Sequence, residues 1–350
     1  MTKIVFGLLS LNPGGLERVV TELANTLCTS HEIDCHIITL QNKEPFYPFH
    51  QKVQIHQPDF HVNTLKNIST LSKLFFFFRS TVKKISPKSI VTFGGEFNAF
   101  FLLSTTGLNC KVFVSERARP GISYGFLQDL LNPWIYKISA GIIIQTHAAK
   151  IHLMKQVGHK NIYILPNPIR SIPAHLDKKE KIILNVGRFT KSKNQKEVLE
   201  ICKAINLSGW RVHFLGDGTT KGSVENSDLV EKEKMTFWGN QTDIDKFYSE
   251  SAIFVFTSLS EGFPNALCEA MSAGCACISY DCLAGPSDII DDGENGFLVP
   301  IGNQNLYIKR LQQLMQDAEL RKQFGKNAIK KMQQLDRKSI AKRFYQIVLE

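Results

Sequence analysis

Short apolar runs, each closed by a polar turn and followed by a segment of helical period, recur throughout this 350-residue chain. Runs that are apolar on both faces and too short for helices are what parallel strands buried on both sides require. Their alternation with amphipathic segments points to α/β architecture with doubly wound sheets. In the first half, residues 3–10, 33–40, 89–93, 111–114, 141–145 and 163–165 read as strands. Leu16, Val19, Val20, Leu23, Ala24 and Leu27 share one face of a helix after the first of them, and further helical patterns lie around 97–104 and 126–138. Pro166-Asn167-Pro168 and the charged stretch 171–181 read as a linker. Beyond it, residues 181–186, 211–215, 235–238, 252–256 and 275–280 repeat the strand pattern, with helical segments at 303–316, 319–335 and 336–349. The expected division is 1–168, 169–335 and a terminal helix, 336–350, that returns to the first domain.

Charge separates the halves. Of the net +10, residues 1–170 carry +9, with 18 Lys and Arg against 9 Asp and Glu, while residues 171–350 are nearly balanced at 24 against 23. A basic face of this kind suits phosphates, nucleic acid or an anionic membrane surface. No apolar run approaches the roughly 18 residues of a membrane span, and the start lacks a signal-type segment, so the chain is expected in the cytoplasm. Residues 63–85 mix Leu65, Ile68, Leu71, Leu74 and Phe75 to Phe78 with Lys66, Lys73, Arg79, Lys83 and Lys84. This is either a core-facing helix with a solvated basic face or an interfacial helix dipping into anionic lipid; four consecutive phenylalanines favour the second. The eight cysteines form no C-x-x-C pair and read as buried small side chains, with no metal role.

The most informative stretch is 260–274, Ser-Glu-Gly-Phe-Pro-Asn-Ala-Leu-Cys-Glu-Ala-Met-Ser-Ala-Gly, directly after a buried strand. Pro264 opens a helix whose first amides, with the helix dipole, form an anion site at the strand's carboxyl end. Glu261 precedes that helix and Glu269 lies a turn inside it. A diphosphate flanked by two sugars fits: amides of Gly262, Phe263, Pro264, Asn265, Ala266 and Leu267 surround the phosphates (Pro264 contributing backbone without an N–H), Glu269 takes ribose hydroxyls and Glu261 hexose hydroxyls. The plainer alternative is two solvated carboxylates at a helix start. Gly14-Gly15 likewise brings backbone close to a sheet edge where phosphate binds. The missing G-x-G-x-x-G and a second strand ending in Gln41-Asn42 rather than an acid argue against a dinucleotide-dependent oxidoreductase. Asp243-Ile-Asp245 reads as helix-start acids rather than a metal site.

Glu261-Gly-Phe-Pro with Glu269 eight residues on resembles the Glu-x₇-Glu signature of retaining glycosyltransferases of the large family 4 type, which have the GT-B fold. Gly187-Arg188, with Lys193 five residues later, resembles that family's phosphate-gripping pair; otherwise both are surface charges. Ser115-Glu116-Arg117-Ala118-Arg119-Pro120 resembles members that extend polyprenyl-diphosphate-linked sugars in bacterial surface-glycan assembly, although no histidine stands in this loop. The resemblance implies two Rossmann-like domains facing a cleft, an acceptor-binding first and a nucleotide-sugar-binding second. It further implies catalytic roles for Arg188, Lys193, Glu261 and Glu116; donor or acceptor contacts for Gly14, Gly15, Arg117 and the 262–269 segment; and a base pocket near Trp238 and Gly239. The expected partners are a nucleotide-sugar donor carrying uridine diphosphate, a polyprenyl-diphosphate-linked glycan and the inner face of an anionic membrane, without nucleic acid, cofactor or metal. The rivals are a nucleotide-sugar epimerase of the same architecture and a non-enzymatic basic membrane-binding module.

Overall fold

A computed structural model describes residues 1–60, 62 and 67–350 as two units, 1–168 with 337–350, and 169–336. The first unit runs β1 (Lys3–Leu8), α1 (Gly15–Ser30), β2 (Asp34–Thr39), β3 (Gln54–His56), α2 (Ile68–Ile85), β4 (Ser89–Phe93), α3 (Gly95–Thr105), β5 (Lys111–Ser115), α4 (Phe126–Ile135), β6 (Gly141–Ile144), α5 (His147–Val157) and β7 (Ile162–Ile164). Its seven strands pair in the order β3-β2-β1-β4-β5-β6-β7, all parallel. Val5, Ile38, Ile90, Val114 and Ile142 fill one side of this sheet, which explains the unbroken apolar runs. The chain leaves β1 in one direction and returns to build from β4 in the other, so the turn holding Gly14 and Gly15 opens at a switch point.

The phenylalanine run packs differently from the crowding inferred from sequence. Phe78 is buried against Phe101 at 4.8 Å, Phe75 meets Phe100 edge-on, and Phe77 meets Phe60. Only Phe76, 68% exposed, is left outside. Two partners on α3 and one in the segment before α2 absorb the run, which corrects the argument for lipid contact there. Arg79 is also engaged, donating to the carbonyls of Ser104 and Thr106. Leu65 and Lys66, assigned to the same helix from sequence, lie outside the described residues. Within the expected linker, Asn167 is buried and its side-chain oxygen accepts from Gln145 Nε2 at 2.7 Å and from Arg117.

The second unit runs β8 (Glu180–Val186), α6 (Gln195–Lys203), β9 (Arg211–Leu215), α7 (Lys221–Glu225), β10 (Met235–Gly239), α8 (Ile244–Glu250), β11 (Ser251–Phe256), α9 (Asn265–Ser272), β12 (Ala276–Asp281), α10 (Pro286–Ile289), β13 (Phe297–Pro300), α11 (Gln304–Gln316) and α12 (Ala318–Gln333). Its order is β10-β9-β8-β11-β12-β13, again all parallel, with the switch point between β8 and β11. The last helix, α13 (Arg337–Leu349), belongs to the first unit. Phe344 stacks on Phe6 at 5.6 Å, Ser89 donates to the Val348 carbonyl at 2.5 Å, and Arg337 reaches Glu22 at 3.2 Å. Counted by unit, the first holds 21 Lys and Arg against 10 Asp and Glu, and the second 21 against 22.

Candidate active site

In the second unit, the two loops that leave the switch point are tied to each other. Thr257 donates its hydroxyl to the carbonyl of Asn194 at 3.0 Å, and the Leu259 amide donates to the Ser192 carbonyl at 2.8 Å. These bonds align the loop after β8 with the loop after β11. As a result Lys193 Nζ meets Glu261 Oε1 at 2.5 Å and lies over the Phe256 ring at 5.6 Å. Glu261 is 8% exposed, so the ammonium offsets what would otherwise be an unpaired buried carboxylate.

Pro264 takes the N-cap position of α9 and Asn265 the first helical one, so the proline stands one residue earlier than in an ordinary proline-led helix. No side chain caps this end, and the first intrahelical amide bond is from Cys268 to the Pro264 carbonyl, which leaves the Ala266 and Leu267 amides without intrahelical acceptors. Phe263 and Leu267 turn their side chains into the core, so Gly262 to Leu267 present backbone. Gly285, with φ +113°, packs directly on Pro264; a Cβ there would stand 2.3 Å from the proline Cδ.

Arg188 is exposed, and its guanidinium makes no hydrogen bond or ion pair among the described residues. It lines an open groove of about 800 Å³ with Gly216-Asp217-Gly218, Asn240 and Gln241. The groove wall is backbone on backbone: a Cβ at Gly216 would stand 2.1 Å from the Gly187 carbonyl oxygen and one at Gly218 2.3 Å from that of Phe189. Lys193 approaches the same loop, its stem 3.8 Å from where a Gly187 Cβ would be. Trp238 and Gly239 are placed just behind this wall. The indole packs edge-on against Phe247 at 5.2 Å, and the Gly239 carbonyl accepts from the Gly216 amide at 2.8 Å, so the groove surface falls to the next two residues, Asn240 and Gln241.

Glu269 is buried and already engaged. Tyr248 donates to it at 3.2 Å, and Arg170 Nε stands 3.6 Å away. Arg170 also pairs with Asp245 at 2.7 Å, so the Asp243-Ile-Asp245 acids sit at the start of α8, as an N-cap and a first-turn residue. Neither Tyr248 nor Arg170 stood out in the sequence, since their role depends on α8 and the 169–172 segment meeting α9.

The first unit holds a separate cleft of about 190 Å³ whose floor is Glu116. Tyr124 donates to this carboxylate at 2.6 Å, Tyr136 at 3.2 Å and the Ala118 amide at 3.4 Å. Burial raises the carboxyl above its ordinary value, against these three donors. His152, from α5, lines the same cleft. Arg117 leaves in another direction. Its Nε donates to Ser115 at 2.9 Å, Nη1 to Asn167, its plane lies over Phe93 at 5.4 Å, and Nη2 is buried without a partner. Burial without an acid lowers its pKa to about 10. Gly14 caps α1 in extended backbone at φ −171°, with Gly15 as the first helical residue and open space around it. The structure thus brings Lys193 and Glu261 into contact, keeps Arg188 on the adjoining loop, and separates Glu116 from Arg117.

Two parallel doubly wound sheets, with a cation-bearing loop and an uncapped helix start at the switch point of the second, are the arrangement of the GT-B fold. Residues 170–331 match the family described as glycosyl transferases group 1. The chain is 28% identical over 339 residues to the amylovoran biosynthesis glycosyltransferase AmsD of Erwinia amylovora, covering 91% of both chains. Over 359 residues it is 24% identical to a Campylobacter jejuni α-1,4-N-acetyl-D-galactosaminyltransferase named for the acceptor GalNAc-α-(1→4)-GalNAc-α-(1→3)-diNAcBac-PP-undecaprenol, covering 100% and 99%. Its fold matches that of Anabaena HepE in complex with UDP at a TM-score of 0.82, with 14% identity and 99% of each chain covered.

Proposed function

We propose that this enzyme moves a hexose or N-acetylhexosamine from a uridine diphosphate sugar to a polyprenyl-diphosphate-linked glycan in surface polysaccharide assembly, with retention and without a metal, while in peripheral contact with an anionic membrane. The observation that carries this is the fastening of the β8 and β11 loops at the switch point, which sets Lys193, Glu261 and the open start of α9 side by side. Support for the partners comes from the Campylobacter relative, named for an undecaprenol-diphosphate acceptor, and from the UDP held by HepE.

As the anomeric bond breaks, charge builds on the departing diphosphate, and fixed cations and amides aimed at it lower the barrier. Arg188, Lys193 and the Ala266 and Leu267 amides are assigned that task, with Glu261 accepting from hexose hydroxyls and Glu269 from the ribose. Retention follows if the acceptor hydroxyl enters on the face the diphosphate leaves and gives its proton to a diphosphate oxygen. In the first unit, Glu116 is assigned to the acceptor hydroxyl, and Gly14, Gly15 and the acid-free Arg117 to the acceptor's diphosphate.

The test offers a panel of nucleotide sugars with a short polyprenyl-diphosphate sugar in EDTA, with mass spectrometry and anomeric NMR of the product. A retained linkage is expected, with Arg188→Ala lowering kcat by about 10²- to 10³-fold. A strict requirement for added manganese overturns the metal-free part. A new nucleotide sugar formed from donor alone overturns the transferase in favour of an epimerase.

A further inference from the structure

Helix α4 has its amphipathic order reversed. Phe126, Leu130 and Trp134 follow one another at steps of four, with Leu131 beside them and Ile138 continuing the step in the turn after the helix. That face points outward: Phe126 is 86% exposed, Trp134 67%, Ile138 58% and Leu130 55%. The inward side carries the buried Asn132, which, with Asp129 and with Tyr136 from the turn just after the helix, lines the Glu116 cleft. A soluble surface helix is built the other way round. Neighbouring α5 adds two more exposed apolar residues, Ile151 and Met154.

The charges in this stretch of chain are mostly basic, while neighbouring α3 brings the exposed acid Glu96 beside Gln128. From Arg117 to Lys160 the chain has six Lys and Arg and a single acid, Asp129, whose carboxylate is engaged by the Ser123 hydroxyl and the Tyr124 amide. Lys137 Nζ lies over the Trp134 ring at 4.5 Å, an arrangement in which an indole sits at a boundary with a cation on its polar side. Large exposed apolar side chains, with tryptophan and Lys137 at their margin, match the headgroup region of an anionic bilayer.

We infer that the outer face of α4, with Lys137 and the exposed side of α5, is the surface that docks on an anionic phospholipid bilayer. This rests on the membrane-contact part of the proposed function and moves it from the phenylalanine run of α2 to α4. The geometry has a functional sense: residues on the inward side of the same helix line the Glu116 cleft, so docking holds that cleft close to the headgroups, where a lipid-linked diphosphate lies.

The experiment is flotation of the full chain with vesicles of phosphatidylcholine alone or with a third of the lipid as phosphatidylglycerol. Wild type is expected on the anionic vesicles, with a blue shift of tryptophan emission that Trp134→Phe removes while binding persists. Phe126→Glu with Trp134→Glu should lower partitioning at least about tenfold, yet leave transfer to a water-soluble short-chain acceptor unchanged. Lys137→Gln with Lys155→Gln should weaken binding to anionic vesicles about fivefold per lysine and leave neutral ones alone. The inference is overturned if the double glutamate variant floats like wild type, if Ile68→Glu with Phe76→Glu abolishes flotation instead, or if wild type is a dimer that Phe126→Glu with Trp134→Glu dissociates. Flotation as expected with no sugar transfer from any donor would sink the transferase reading and leave this one standing.

Discussion

The two units treat buried charge in opposite ways. In the second, Glu261 faces Lys193 and Glu269 faces Arg170, so each acid beside the candidate donor site meets a cation contributed by another segment. In the first, Glu116 meets two phenols and an amide, and Arg117 an amide oxygen, a hydroxyl and an aromatic face. Paired charges preorganise a site before ligand arrives, whereas an unpaired buried guanidinium is stabilised most when an anion does arrive. The donor half is therefore read as preformed and the acceptor half as completed by its ligand.

The largest effect should come from breaking the pair in the second unit. Lys193→Met is expected to cut kcat by about 10²- to 10³-fold and, by leaving Glu261 buried without a partner, to cost about 2 kcal/mol of stability in a denaturant titration. Adding Glu261→Gln should restore the stability and not the turnover. Recovery of both would mean that Lys193 serves only to neutralise its neighbour. The contrasting change, Arg117→Met, should leave stability level or raise it while raising the acceptor KM; a loss of stability matching that of Lys193→Met would erase the contrast.

How much of this was legible beforehand follows from how local each feature is. The strands and both switch-point loops rest on contiguous patterns, so the runs at 181–186 and 252–256 and the 260–274 stretch could be read directly. The Glu116 cleft could not, because Tyr124, Tyr136 and His152 come from the next loop, a short turn and the following helix. Strand β3, three residues long, and α5, whose apolar residues follow no clear helical stripe, gave no periodic signal. Helix α4 shows the limit most clearly. Its apolar stripe is plain in sequence, but period alone says nothing about which side the fold covers, and here the polar residues are needed inside.

A medium-sized effect compares two glycines. Gly285→Ala meets both a positive φ and the Pro264 ring, so it should cost about 1–3 kcal/mol and, by shifting the start of α9, lower kcat by at least about tenfold. Gly14→Ala meets only the Glu17 carboxylate, which can swing away, in backbone any residue adopts. Its cost to stability should stay within about 1 kcal/mol. Thermal melts of both variants check the pair, and equal losses would mean that the turn in the first unit is as tightly built as the loop in the second.

The smallest effect is one of pH. Burial raises the Glu116 carboxyl above its ordinary value, so between that value and the raised one the folded protein keeps a proton that the unfolded chain has released. Where the folded state binds the extra proton, stability falls as pH rises; this contribution is complete below the ordinary value and lost once pH passes the raised one. Glu116→Gln keeps a side chain of the same shape without the titration. Wild type should therefore lose melting temperature relative to Glu116→Gln as pH is raised from acid to neutral. A difference between the two that stays flat across that range would mean the tyrosine hydroxyls compensate the carboxylate fully, and that the first unit, like the second, settles its buried charge before any ligand binds.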